Sequence, residues 1–289
     1  MPEAMGQAQA GVAQTLRAVR SALLPAAGEE AALQARIIVA RALCREVTAL
    51  PGYMDAALDA AQLRWIEEAV KRRLGREPLQ YILGEWAFMG LPFFVRPGVL
   101  IPRADTETLA RCALTLAREN GYTNALDLCC GTGCVAITLA KLGGLGVDAA
   151  DISIRALALT RKNARRSGVT IKVIHSDWFA QLKGTYDMIC INPPYLCEDD
   201  MKNLQPELRY EPALALFGGC DGLDAYRAIR EAYARHLNPG GGLLLEIGAT
   251  QGAQVSALFG GGQVARDYGG LPRVFVMGGG AWDIESQTR

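Results

Sequence analysis

Hydrophobic residues recur at helical spacing over the first third of the chain and at strand spacing over much of the rest. Ala-rich amphipathic runs at 12–24, 29–43 and 63–74, divided by Pro25, Gly28 and Pro51-Gly52, predict three helices. Aromatic and aliphatic residues then alternate over 86–101 around Gly90 and Pro97-Gly98, which predicts a hairpin. From Ala125 onward short apolar runs alternate with helical ones. Strands are expected at 125–129, 147–150, 171–175, 188–191, 243–247, 264–267 and 273–276, and helices at 134–142, 152–167, 223–237 and 252–259, after a helix at 109–117. This rhythm predicts an α/β fold, a doubly wound, Rossmann-like and mostly parallel sheet, with a small N-terminal helical bundle before it. The expected divisions are a helical domain over 1–83, a β-hairpin linker over 84–101 and a sheet domain over 102–289. In such a sheet, ligands bind outside the carboxyl ends of the strands near the switch point.

Four strand ends carry candidate chemistry. After the first, Asp127-Leu128-Cys129-Cys130-Gly131-Thr132-Gly133 is a glycine turn, which lets a ligand approach the backbone and the N–H groups that open the next helix. A dinucleotide site would want a third glycine where Ala136 stands, an allowed variant. After the second comes Asp151, placed to accept both ribose hydroxyls of an adenosine. After the third comes Asp177-Trp178, an acid for an exocyclic amine and a ring for a base face, although Trp178 also fits ordinary core packing. After the fourth comes Asn192-Pro193-Pro194-Tyr195. Two prolines end that strand at a rigid corner, because neither donates to a ladder and each fixes its own φ. The corner offers an amide, carbonyls without neighbouring N–H groups and an aromatic ring. Alone it reads equally well as a proline turn; beside an adenosine site it suits a planar NH2 group awaiting methylation. Hydride transfer asks for nothing of the kind.

Composition narrows the partners. Thirty basic residues balance thirty acidic ones, which argues against affinity built on neutralising many phosphates. Eight cysteines show no paired Cys-x-x-Cys spacing, and with only two histidines no metal site is expected. Cys129, Cys130 and Cys134 read as small buried hydrophobes, and free thiols suggest a reducing cytoplasm. No run approaches the roughly eighteen apolar residues of a membrane span. His175, at a strand end, reads as structural.

With these motifs in view, the chain resembles the class I S-adenosylmethionine-dependent methyltransferases, and within them the peptide chain release factor glutamine N5-methyltransferase family. The resemblance rests on Glu77-Pro78-Leu79-Gln80-Tyr81-Ile82-Leu83-Gly84, on Ile101-Pro102-Arg103 with Thr106-Glu107, and on the strand-end motifs. It extends to Glu211-Pro212-Ala213-Leu214-Ala215-Leu216, to Gly218-Gly219 with Asp221-Gly222-Leu223, and to 244–248 before Gln251. The chain departs from the family pattern at Ala104, where proline is usual, and at Gly269-Gly270-Leu271-Pro272. The resemblance implies methyl transfer from S-adenosylmethionine, yielding S-adenosylhomocysteine, to the glutamine of the Gly-Gly-Gln tripeptide in class I release factors. It implies that the N-terminal helices help hold that protein, and that Arg103, Thr106 and Glu107 line the cleft. The chain's own Gly261-Gly262-Gln263 is read as coincidence in a glycine-rich sequence.

The roles expected are then specific. Asp127, Gly131, Thr132, Gly133, Asp151, Asp177, Trp178 and Asn192 would surround the cofactor. Asn192, Pro193, Pro194 and Tyr195, with Arg103 and Glu107, would hold the substrate. Asn192 Oδ1 and the Pro193 carbonyl would accept the two amide hydrogens while Tyr195 covers the amide plane, and no general base is required. The rival is a nucleic-acid amino methyltransferase acting on adenine N6 or guanine N2, which poses the same geometric problem with a flipped base. Neutral charge and the absence of a Lys/Arg stripe on the N-terminal helices weigh against it, and no direct nucleic-acid binding is expected. A non-catalytic binding module and a dinucleotide oxidoreductase come after it.

Overall fold

A computed structural model describes residues 11–279 and divides at Gly84/Glu85 into two units. In the first, α1 (Val12–Ala27) carries Pro25 in its last turn and stops only at Gly28, φ 51°. A proline that near the end forfeits little of the ladder, so the break falls three residues later than its position predicts. Helices α2 (Ala31–Ala42), α3 (Ala60–Leu74) and α4 (Leu79–Leu83) follow. Asp59 and Gln62 form a reciprocal capping box, which starts α3 three residues before its apolar run begins. Val19, Leu23, Ile38, Leu50 and Ile66 are buried together. Arg73 is buried among them and donates to Gln34 Oε1 (2.9 Å) and the Ala26 carbonyl (3.3 Å), so its charge is met by polar partners.

The second unit opens with a hairpin of β1 (Glu85–Phe88) and β2 (Leu91–Phe94), turned at Met89 and Gly90, both with positive φ. Phe88 and Phe93 meet edge to face and sit in the same core as α5 (Ala104–Asn120). The chain then runs β3 (Asn124–Leu128), α6 (Cys134–Gly143), β4 (Gly146–Asp151), α7 (Ile154–Ser167), β5 (Lys172–His175) and β6 (Tyr186–Ile191). It continues through α8 (Glu198–Lys202), α9 (Asp224–Ala232), β7 (Leu237–Glu246), α10 (Gly252–Phe259), β8 (Gln263–Arg266) and β9 (Pro272–Gly278). The sheet order is β5-β4-β3-β6-β7-β9-β8, with β9 antiparallel to both its neighbours. Strand alternation sends Met188, Cys190 and Leu244 to one face, under α5, α6 and α7. Ile189, Ile191, Leu243 and Leu245 face the other way, against α9 and α10. Chain order departs in both directions from β3, so the switch point lies between β3 and β6.

One element differs from its expected type. The helix expected to reach Leu237 ends at Ala232, with one further turn over Tyr233–Arg235, and Leu237 already begins β7. The glycines of 240–242 look like a loop in sequence but lie in the strand. A Cβ at Gly241 would come within 2.7 Å of the Asp187 carbonyl, and one at Gly242 within 2.6 Å of Leu116. Glycine is what lets α5 and β6 close on β7. Gly261-Gly262-Gln263 leads into β8, where a Cβ at Gly262 would strike the Phe275 ring at 2.3 Å, so packing accounts for it.

Candidate active site

A cleft opens at the carboxyl ends of β3, β4, β5 and β6. Its floor is the turn after β3, where Gly131 (φ 55°) and Gly133 (φ 79°) take left-handed backbone that favours glycine. Side chains of α7 clamp this turn. Thr160 Oγ1 donates to the Gly131 carbonyl (3.0 Å), and Asn163 Nδ2 donates to the Thr132 carbonyl (2.9 Å) while its Oδ1 accepts from the Phe94 N–H (2.8 Å). Both side chains are fully buried. A Cβ at Gly133 would meet Thr160 Cγ2 at 2.7 Å, so turn and helix are fitted to each other.

Two carboxyls stand behind the turn. Asp127 is buried, and its Oδ2 accepts the Ala136 N–H (2.9 Å) in the first turn of α6. Burial, aided by the nearby Asp151 charge, pushes its pKa up to about 7. Asp151, half-buried, accepts from the Gly131 N–H (2.9 Å) and the Ser153 N–H (2.8 Å). Burial raises its pKa and those two N–H groups work against the rise. Asp177 and Trp178 form the far wall. Trp178 has φ 46°, and the Ser176 hydroxyl donates to its carbonyl (2.7 Å), a local bond that holds an unusual backbone in place.

On the other side of the switch point stands Asn192. Its Nδ2 donates to Thr106 Oγ1 (3.1 Å), while among the described residues no donor reaches its Oδ1 or the Pro193 carbonyl. Asn192, Pro194, Arg103 and Thr106 line the cleft. Arg103 pairs with Glu211, whose second oxygen accepts from the Ile101 N–H (2.9 Å). That buried glutamate therefore ties the Ile101-Pro102-Arg103 segment to Glu211-Pro212. Four anticipated residues, Glu107, Pro193, Tyr195 and Gly133, are not among those lining the cleft. Glu107 accepts from the Met89 N–H (2.7 Å) and lies 3.6 Å from Arg111, on the hairpin side. Tyr195 is not among the lining side chains; its hydroxyl faces Glu246 at 3.4 Å. Gly133 is covered by Thr160.

Sequence reasoning missed Thr160, Asn163 and Glu246. Each had a signal: a polar residue on the buried stripe of a helix, or a carboxylate inside the apolar run 243–247. An adenosyl ligand fits what is present. A Cβ at Gly131 would project toward Val99, 4.0 Å away, filling space that glycine leaves open, and Asp151, Asp177 and Trp178 add two carboxylates and a ring around it.

Comparison with known proteins identifies the lineage of this cleft. Residues 14–84 match the PrmC N-terminal domain, and residues 106–208 match the methyltransferase small domain. A release factor glutamine methyltransferase of Cereibacter sphaeroides is 41% identical over 92% of this chain and 93% of its own length. The chain belongs to the release factor glutamine methyltransferase family. Members from Geobacter sulfurreducens (42% identical, 80% of this chain and 82% of the relative) and Bradyrhizobium diazoefficiens (39%, 88% and 86%) agree. As a member of this family the chain is an enzyme, a methyltransferase using S-adenosylmethionine. Among solved structures, a T. thermophilus 16S rRNA N2 methyltransferase in complex with AdoMet and guanosine is similar at TM-score 0.50 and 20% identity. That likeness covers 67% of this chain and 49% of that one, and is a likeness of fold. No helix among the described residues is long and apolar enough to cross a membrane.

Proposed function

We propose that this enzyme methylates the side-chain nitrogen N5 of the glutamine in the Gly-Gly-Gln tripeptide of class I peptide chain release factors. The observation that carries the reading is the Asn192 amide, anchored through its NH2 on Thr106, with no donor among the described residues on its oxygen at the cleft. When bound, S-adenosylmethionine supplies an electrophilic methyl group on a sulfonium. Asp151 would hold ribose hydroxyls, Asp177 and Trp178 the adenine, and the Gly131 turn the methionine moiety. An amide nitrogen is a poor nucleophile because its lone pair is shared with the carbonyl. Asn192 Oδ1 and the Pro193 carbonyl would accept its two hydrogens, orient it and favour the positive charge that develops on it. Tyr195 would cover the amide plane, with its hydroxyl turned toward Glu246 and its ring partly packed on the core. The two prolines give the corner its stiffness, so the acceptors need no reorganisation when substrate arrives. The N-terminal unit would help hold the release factor.

The test is methyl transfer from labelled S-adenosylmethionine to purified release factor, with DNA and rRNA alongside and the product mapped by mass spectrometry. Label on the Gly-Gly-Gln glutamine, absent when that glutamine is replaced by alanine, supports the reading. Label on nucleic acid alone would overturn it.

A further inference from the structure

Two of the motifs that mark this chain, the glycine-rich stretch 218–223 and Gln251, lie outside the cleft lining. The fold brings both to the back of the proline corner. Gln251 is buried and immediately precedes α10, yet its side chain makes no capping bond to that helix. Its carboxamide reaches other segments instead. Oε1 accepts from the Gly248 N–H (2.9 Å) and from the Tyr226 hydroxyl of α9 (3.3 Å). Nε2 donates to the Tyr195 carbonyl (3.0 Å) and to the Gly222 carbonyl (3.2 Å). An amide has two lone pairs on its oxygen and two hydrogens on its nitrogen, so this one is used to capacity. Its orientation has no alternative, because a main-chain N–H only donates and the two carbonyls only accept.

The glycines beside this contact leave no room for a side chain. A Cβ at Gly222 would come within 2.5 Å of the Tyr195 carbonyl oxygen and 2.8 Å of Gln251 Nε2. One at Gly218 would come within 2.7 Å of the Pro194 carbonyl oxygen and 2.9 Å of Tyr195 Cα. Main chain ties the same segments together. The Leu196 N–H donates to the Leu216 carbonyl (2.9 Å), and the Gly218 N–H donates to the Leu196 carbonyl (2.8 Å). The loop is fitted against the exit of the corner, and Gln251 joins loop, corner and the start of α10 at one point.

Thr106 holds the entrance of the corner through Asn192 (3.1 Å), and Gln251 holds its exit through Tyr195. Between them φ is fixed at both prolines, which leaves the direction of the Pro193 carbonyl to the ψ rotations of the corner residues. A tie at each end removes that freedom. We propose that Gln251 is a positioning residue for methyl transfer. By pinning the Tyr195 carbonyl, it keeps Asn192 Oδ1 and the Pro193 carbonyl at the spacing a planar NH2 group requires. The inference rests on those two acceptors receiving the glutamine nitrogen. Preorganised acceptors count most when positive charge develops on that nitrogen, so the loss of Gln251 belongs in turnover rather than in binding.

The experiment is steady-state methylation of the release factor by wild type, Gln251→Met and Gln251→Glu, with cofactor affinity and stoichiometry by calorimetry on each protein. Gln251→Met keeps the bulk and loses all four bonds. Gln251→Glu keeps the shape and both acceptances, and offers at most one donation. Rates are expressed per cofactor-binding site, so an unfolded fraction lowers the stoichiometry and leaves kcat untouched. kcat should fall about tenfold in Gln251→Met and by less in Gln251→Glu. KM for the release factor and Kd for S-adenosylmethionine should stay within about twofold of wild type. If Gln251→Met does not fold, Gln251→Glu decides alone, with a drop in kcat of about threefold or more expected. A kcat per site within about twofold of wild type in the variants that fold overturns the inference. So does a loss shared equally by cofactor affinity, or one confined to KM. Absence of transfer to the release factor by wild type would instead strike the functional reading beneath it.

Discussion

The turn after β3 and the corner after β6 are neighbours at the edge of the sheet, with Leu128 opposite Ile191, yet they are held in opposite ways. At the turn, main chain provides the shape: left-handed glycines, N–H groups on Asp127 and Asp151, carbonyls clamped by α7. At the corner, side chains provide it: Asn192 on Thr106, Tyr195 on Glu246. Main-chain donors keep their polarity at every pH, whereas a hydroxyl or an amide can exchange donor for acceptor. The turn thus takes its polarity from main-chain groups facing two carboxyls, and the corner takes its polarity from exchangeable side-chain groups.

The comparison can be broken most severely at Asn192. Asn192→Ala should lower turnover by about a hundredfold or more while leaving cofactor affinity within a few-fold. An equal loss in calorimetric affinity would mean that corner and turn are one site energetically. The next effect is on stability. Burial raises the Glu246 carboxyl from 4.5 to about 7, so the folded chain keeps a proton that the unfolded chain releases, and stability falls as pH rises through that window. Glu246→Gln removes that slope, and its stability relative to wild type should climb by up to roughly 3 kcal/mol from about pH 5 to about pH 8 in urea titrations. On the turn, Gly133→Ala should cost about 1–3 kcal/mol through backbone strain and the collision with Thr160, and weaken cofactor binding without moving the pH profile of kcat. Adding Thr160→Ser removes the colliding methyl, keeps the bond to Gly131, and should recover part of the loss. The smallest effect belongs to Tyr195→Phe: one long hydrogen bond disappears, and kcat should drop about threefold with KM unchanged.

How far the sequence reveals all this depends on whether a feature is local. The glycine turn and the proline corner are dictated by residues adjacent in the chain, and the alternation of strand and helix is a local periodicity, so the Rossmann-like sheet and its four loaded strand ends could be read directly. The side-chain contacts around the corner could not. Asn192 meets Thr106 across 86 residues, and Arg103 meets Glu211 across 108. Only the folded sheet brings such partners together. Glu246 was visible as a carboxylate in an apolar strand, but its partner, the Tyr195 hydroxyl, comes from a distant element. The start of β7 was misjudged for a related reason. Gly241 admits the Asp187 carbonyl and Gly242 admits Leu116, neighbours that no local pattern announces. The Tyr195 hydroxyl likewise meets Glu246 across 51 residues.

The cysteines carry a consequence of a different sort. Cys112 and Cys134 are buried thiols pushed up to about 12, and Cys129, Cys130 and Cys190 are raised well above their usual range. Such thiols hardly form the thiolate that a maleimide attacks. Cys44 and Cys220 are exposed, one in each of the two units, and half-buried Cys197 can be silenced as serine. The enzyme thus carries a ready pair of dye attachment points, and fluorescence energy transfer between them would report the separation of its two units through a catalytic cycle.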